Sequence, residues 1–103
     1  METALLQNET GIKPRVLNEI RRFAVRNDIR KVVLFGSRAR GDHSERSDID
    51  IAIYGGRFDG FYWNIMEDAH TLLSFDVVDM DSGVSGELQK EIERDGITIY
   101  EKA

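Results

Sequence analysis

The chain has 103 residues, with 14 Lys plus Arg against 19 Asp plus Glu and a net charge of −5. That length fits one small domain around a single core. The acidic balance argues against a stable duplex-DNA binder, which would carry a basic face. Cysteine is absent, which excludes disulfides, zinc–thiolate sites and thiol catalysis. No signal peptide and no long apolar run is visible, so no membrane association and a cytoplasmic location are expected.

Residues 1–12 are polar around a small apolar patch, Ala4-Leu5-Leu6. They read as a tail, frayed or docked on a partner, ahead of a domain over 13–103. Pro14 suits the first turn of a helix. Val16, Leu17, Ile20, Phe23 and Ala24 then recur at helical spacing, which predicts an amphipathic helix over 14–27, ended by Asn27-Asp28. Residues 30–35 form a β-rich run that stops at Gly36, and a short helix follows at Ser37. From Asp48 to Tyr54 the chain alternates: Ile49, Ile51 and Ile53 point one way, Asp48, Asp50 and Ala52 the other.

Gly55 to Gly60 reads as a loop. Phe61, Ile65, Ala69, Leu72 and Leu73 make the stripe of a second long helix. Phe75–Asp79 is a third strand. Val84, Leu88 and Ile92 mark a third helix with a C-cap at Asp95-Gly96, and Ile97–Tyr100 is a final strand. The order is α-β-α-β-α-β-α-β. It implies an α/β (α+β) domain, a mixed sheet of about four strands with helices mainly on one face. The isoleucine face of 48–54 should lie under the helices and the aspartate face should be open.

A strand running into Gly36-Ser37 presents unpaired backbone N–H groups at a helix start, and glycine lets a phosphate approach the backbone. Ser37 adds a hydroxyl, and Arg38 and Arg40 are near enough in sequence to neutralise a triphosphate. Asp48 and Asp50 share one face of a strand, an arrangement that repels itself without a cation. Magnesium takes such carboxylates together with substrate phosphates. Asp76 stands among Phe75, Val77 and Val78, where a carboxylate needs a reason. If its strand neighbours 48–54, Asp76 joins the pair and a two-metal site can form. Asp79 faces away by alternation.

Taken in order, Gly36-Ser37-Arg38-Ala39-Arg40-Gly41, Ser47-Asp48-Ile49-Asp50 and Asp76-Val77-Val78-Asp79 resemble the minimal nucleotidyltransferases of the DNA polymerase β superfamily. The resemblance runs from about Val32 to the end of the chain. It implies a polymerase β-like palm in which Gly36 and Ser37 bind the triphosphate. Asp48 and Asp50 would bind Mg2+, two ions in all, with Asp76 as the third catalytic carboxylate. The implied reaction is attack of a hydroxyl on the α-phosphorus of ATP or another nucleoside triphosphate, releasing pyrophosphate. The resemblance also implies a prokaryotic source and a partner encoded nearby. That partner is a HEPN-domain ribonuclease toxin, which the chain would adenylylate as its antitoxin, or a helical substrate-binding protein in a two-chain small-molecule transferase. A binding-only antitoxin, which neutralises its partner by covering it, is the non-enzymatic alternative.

Three weaker features remain. Trp63 and His70 fall on one side of the second helix and read either as a partner surface or as side chains folded on the 55–60 loop. His43 reads as a solvated loop histidine. Arg57 and Phe58, in the glycine loop, read as a connector or as a cover for the base.

Overall fold

Pro14 opens the helix α1 (Pro14–Arg26), where its missing N–H costs nothing. Val16, Leu17, Ile20, Phe23 and Ala24 form its buried stripe. The helix stops where the Asn27 side chain donates to the Phe23 carbonyl and Asp28 adopts a left-handed backbone. In this computed structural model residues 9–103 are described. The patch Ala4-Leu5-Leu6 lies outside them. Thr10 and Ile12, assigned to the tail by sequence, are fully buried.

After α1 come β1 (Lys31–Phe35), α2 (Gly36–Arg40), β2 (Ile49–Tyr54), α3 (Phe58–Asp68), β3 (Phe75–Asp79), a 3-10 turn (Met80–Ser82), α4 (Gly86–Asp95) and β4 (Ile97–Glu101). The strands form one mixed sheet in the order β3-β2-β1-β4. β1 is antiparallel to both β2 and β4, and β2 is parallel to β3. The parallel pair needs a crossover, and α3 supplies it. Ile49, Ile51 and Ile53 face Val32, Leu34, α1 and α3 in the main core. Among the described residues no helix is long and apolar enough to cross a membrane.

The expected architecture holds, with three differences in detail. First, the aspartate face is only partly open. Val33, Phe35 and Ala52 form a second small core with Ile92 and Leu88 of α4, which covers that end of the face. Second, α3 ends at Asp68, so Ala69, Leu72 and Leu73 are not its stripe, and Leu72 is fully exposed. The cause is Glu19, buried on α1. Its carboxylate accepts from the His70 backbone N–H (2.9 Å) and pairs with the His70 ring, pulling the chain off the helical path. Trp63 and His70 therefore do not share a helix face. Third, Gly96 caps α4 with extended backbone, φ −64°. Glycine is required there by close approach, because a Cβ would collide with the Ile92 carbonyl and Val33.

Burial works to raise the Glu19 pKa, but the hydrogen bonds from His70 outweigh it and hold the group below its ordinary 4.5. A depressed carboxylate contributes stability above the unfolded pKa and loses it as pH falls through the folded one. Glu19→Gln is therefore expected to cost about 2 kcal/mol at pH 7. In urea titrations the gap from wild type should narrow as pH drops below 4.5. A pH-independent gap would contradict the assignment.

Candidate active site

The site grows from one close approach at the end of β1. Phe35 is the Cα partner of Asp50. The next residue, Gly36, turns into α2 with φ +74°, and any Cβ on it would run into the Asp50 carboxylate. Only glycine satisfies both the left-handed backbone and the contact. The β1–α2 turn, with Ser37 in its first helical turn, is thereby seated against the carboxylate of the neighbouring strand.

The sheet register supplies the rest. Asp50 on β2 is directly opposite Asp76 on β3, and in a parallel pair both side chains leave the same face. Asp48 stands just ahead of β2. The β2–β3 pairing begins at the next residue, where the Ile49 N–H donates to the Ser74 carbonyl at 2.9 Å. Asp48 and Asp76 are exposed, whereas Asp50 is half-buried. Burial, then the charges of Asp76, Asp48 and Glu91, push the Asp50 carboxyl up to about 6, and Arg40 opposes them.

The two arginines part company. Arg38 was expected to reach phosphates, but its guanidinium is buried and turned into the protein. It donates to the carbonyls of Thr10 (2.7 Å), Ser47 (2.9 Å) and Glu45 (3.1 Å), with a longer contact to Ser44. Burial lowers its pKa, while Asp48 and Asp50 work to raise it. Arg40 lies at the surface and pairs with Asp42 (3.2 Å), Glu91 (3.1 Å) and Asp95 (3.9 Å). The hydrogen bond to Asp42 and these neighbouring charges raise its pKa.

Sequence reasoning missed Glu91. It carries no local signal, and only the packing of α4 on the sheet brings it to Arg40 and within the field of Asp50. His43 is half-buried rather than solvated. Its Nδ1 has no partner among the described residues, and the ring lies in a cavity lined by Gly11, Ile12, Arg38 and His70. Arg57 donates to the Arg26 carbonyl and ties a connector down. Trp63 is 64% exposed.

Among the described residues no group of three or more His, Cys, Asp or Glu side chains forms a ready-made metal cage. The donor set nevertheless suits a hard divalent ion. Magnesium uses one or two carboxylates, keeps its waters and takes substrate phosphates as further ligands. Three neighbouring carboxylates, one of them pushed up to about 6 by burial and then by the charges of the others, have the charge such an ion would relieve.

Two outcomes follow. A carboxylate whose folded pKa is raised destabilises the fold fully above that pKa, and the penalty vanishes as pH falls to the unfolded value of 3.8. Asp50→Asn should stabilise the metal-free protein by about 1–2 kcal/mol at pH 7, allowing for solvent screening. The gain should fade by pH 4, roughly the unfolded carboxylate value, as read by thermal melts in chelator. Gly36→Ala should cost about 1–3 kcal/mol through its left-handed backbone and the collision with Asp50. A melting temperature equal to wild type would contradict that geometry.

Comparison with known proteins identifies the family and the fold. The family model described as "Polymerase beta, Nucleotidyltransferase" matches residues 18–103. A stretch of 30 residues is 63% identical to "Putative protein adenylyltransferase MJ0604" of Methanocaldococcus jannaschii, covering 29% of this chain and 30% of that protein. The fold matches a toxin–antitoxin crystallised with AMP-PNP (TM-score 0.62, 24% identity, 84% of this chain and 73% of that one). It also matches a mutant of the toxin–antitoxin MntA-HpeT (TM-score 0.64, 23% identity, 84% of this chain and 73% of that one). The chain belongs to the polymerase β nucleotidyltransferase family.

Proposed function

We propose that this chain transfers AMP from ATP to a hydroxyl on a protein partner, in the manner of an antitoxin that adenylylates a HEPN ribonuclease toxin. The observation that carries the reading is the register setting Asp50 opposite Asp76, with Gly36 closed against Asp50. Two magnesium ions held by Asp48 and Asp50, one of them also by Asp76, would neutralise the phosphates and lower the pKa of the attacking hydroxyl. Gly36 and Ser37 offer backbone N–H groups and a hydroxyl to the triphosphate. Arg40 adds positive charge at the mouth of the site, where Glu91 and Asp95 orient it.

In the reaction the acceptor oxygen bonds to the α-phosphorus while the bond from that phosphorus to the bridging oxygen breaks, and pyrophosphate leaves. The acceptor proton passes to the exposed carboxylate of Asp76 and on to solvent. Adenine as the base is supported by the AMP-PNP complex among the structural neighbours and by the adenylyltransferase name of the archaeal relative. A protein partner is supported by the two toxin–antitoxin neighbours.

Purified protein, α-labelled ATP, magnesium and the product of the adjacent reading frame should give label on that product. Asp48→Ala/Asp50→Ala should abolish transfer, a loss of at least about a thousandfold if both carboxylates act on the transition state. Neutralisation of the partner by the double mutant, without label transfer, would favour a binding-only antitoxin. Label on a small molecule but not on the partner would favour the two-chain small-molecule transferase.

A further inference from the structure

Arg38 is a buried cation that the proposed chemistry does not use. It is 1% exposed, although it belongs to the five-residue helix that opens at Gly36. All its hydrogen bonds go to main-chain carbonyls. Three acceptors, Ser44, Glu45 and Ser47, lie in the link between α2 and β2, and the fourth, Thr10, lies ahead of α1. The link is itself a small knot: Ser44 N–H donates to the Ser47 hydroxyl at 2.9 Å, and Ser47 N–H returns to the Ser44 carbonyl at 3.2 Å. Asp48 is the next residue. It precedes β2, so the strand ladder does not hold it from both sides as it holds Asp50.

We infer that Arg38 is a positioning residue for the metal site: its guanidinium fixes the 44–47 knot to the Ser37 helix and so sets where the Asp48 carboxylate stands. Arginine is required by geometry. Its planar fork reaches carbonyls on two segments at once, whereas lysine offers one nitrogen with three donors. The residue acts through Asp48 and touches neither phosphate nor metal. This inference rests on the reading of Asp48 as a metal ligand.

The test is Mn2+ affinity by calorimetry in the presence of AMP-PNP, on wild type, Arg38→Lys, Asp48→Asn and the double variant, each checked for folding by circular dichroism. Arg38→Lys should weaken Mn2+ binding about tenfold in the Asp48 background and less than twofold in the Asp48→Asn background. It should leave AMP-PNP affinity without metal within twofold of wild type. Equal Mn2+ affinity in folded Arg38→Lys and wild type would overturn the inference, as would additive losses in the double variant. A wild-type protein that binds no Mn2+ would overturn the metal-site reading itself. Should Arg38→Lys fail to fold, hydrogen exchange on wild type decides. The Ser47 amide should exchange as slowly as those of β1, and rapid exchange there would overturn the inference.

Discussion

Two aspartates on neighbouring strands face each other because the hydrogen-bond register of a parallel pair leaves them no choice. Cross-strand neighbours stand ~5 Å apart, and two full charges at that distance repel by about 3 kcal/mol at an effective dielectric near 20. The fold accommodates this on β2, which pairs with β1 on one side and β3 on the other. The other face of β2 carries Ile49, Ile51 and Ile53 into the main core. A one-residue slip would turn Asp50 into that core and the isoleucines out of it. The hydrophobic face therefore enforces the register, and the register enforces the electrostatic conflict.

The conflict is confined to one end of the sheet. α4 seals the far part of the same face with Ile92 and Leu88 over Ala52, Val33 and Phe35. That packing leaves Asp50 half-buried at the edge of an apolar patch, so desolvation and like charge act on it together. It also brings Glu91 and Asp95 up to Arg40. One helix thus closes a small core, adds negative potential near Asp50 and fixes the arginine that offsets it. The raised Asp50 pKa is the trace of a fold that gives up stability at the candidate site.

Much of this was legible in the sequence, and the reason is periodicity. Alternation from Ile49 to Ile53 placed Asp48 and Asp50 on one face, and Asp76 in a β-rich run placed a third carboxylate on another strand. What could not be read were contacts made by long polar side chains across distant segments. Arg38 lies beside Ala39 and Arg40 in a stretch that looks solvent-facing, yet its acceptors include Thr10, 28 positions away. Glu19 stands on a helix that periodicity describes well, yet it ends a different helix by binding His70, 51 positions away. Leu72 matched the apolar spacing of α3 and is fully exposed, because spacing says nothing about where a buried carboxylate will capture the backbone. Gly96 was legible as the cap of α4, but the close approach of Val33 and the Ile92 carbonyl that demands glycine there was not.

The three carboxylates are also held in three different ways, and this bears on what each can do. Asp50 is gripped by β1 on one side, by β3 on the other and by the Gly36 turn above it. Such a group is suited to a fixed task and poorly suited to exchanging protons with water. Asp76 is the second residue of an edge strand, is exposed and carries no neighbouring strand on its outer side among the described residues. That is where a carboxylate can take a proton from an incoming hydroxyl and return it to solvent. Asp48 lies outside the ladder, and its position depends on the 44–47 knot that Arg38 binds. Strand pairing therefore holds the backbone of Asp50 and Asp76, whereas Asp48 relies on the 44–47 knot.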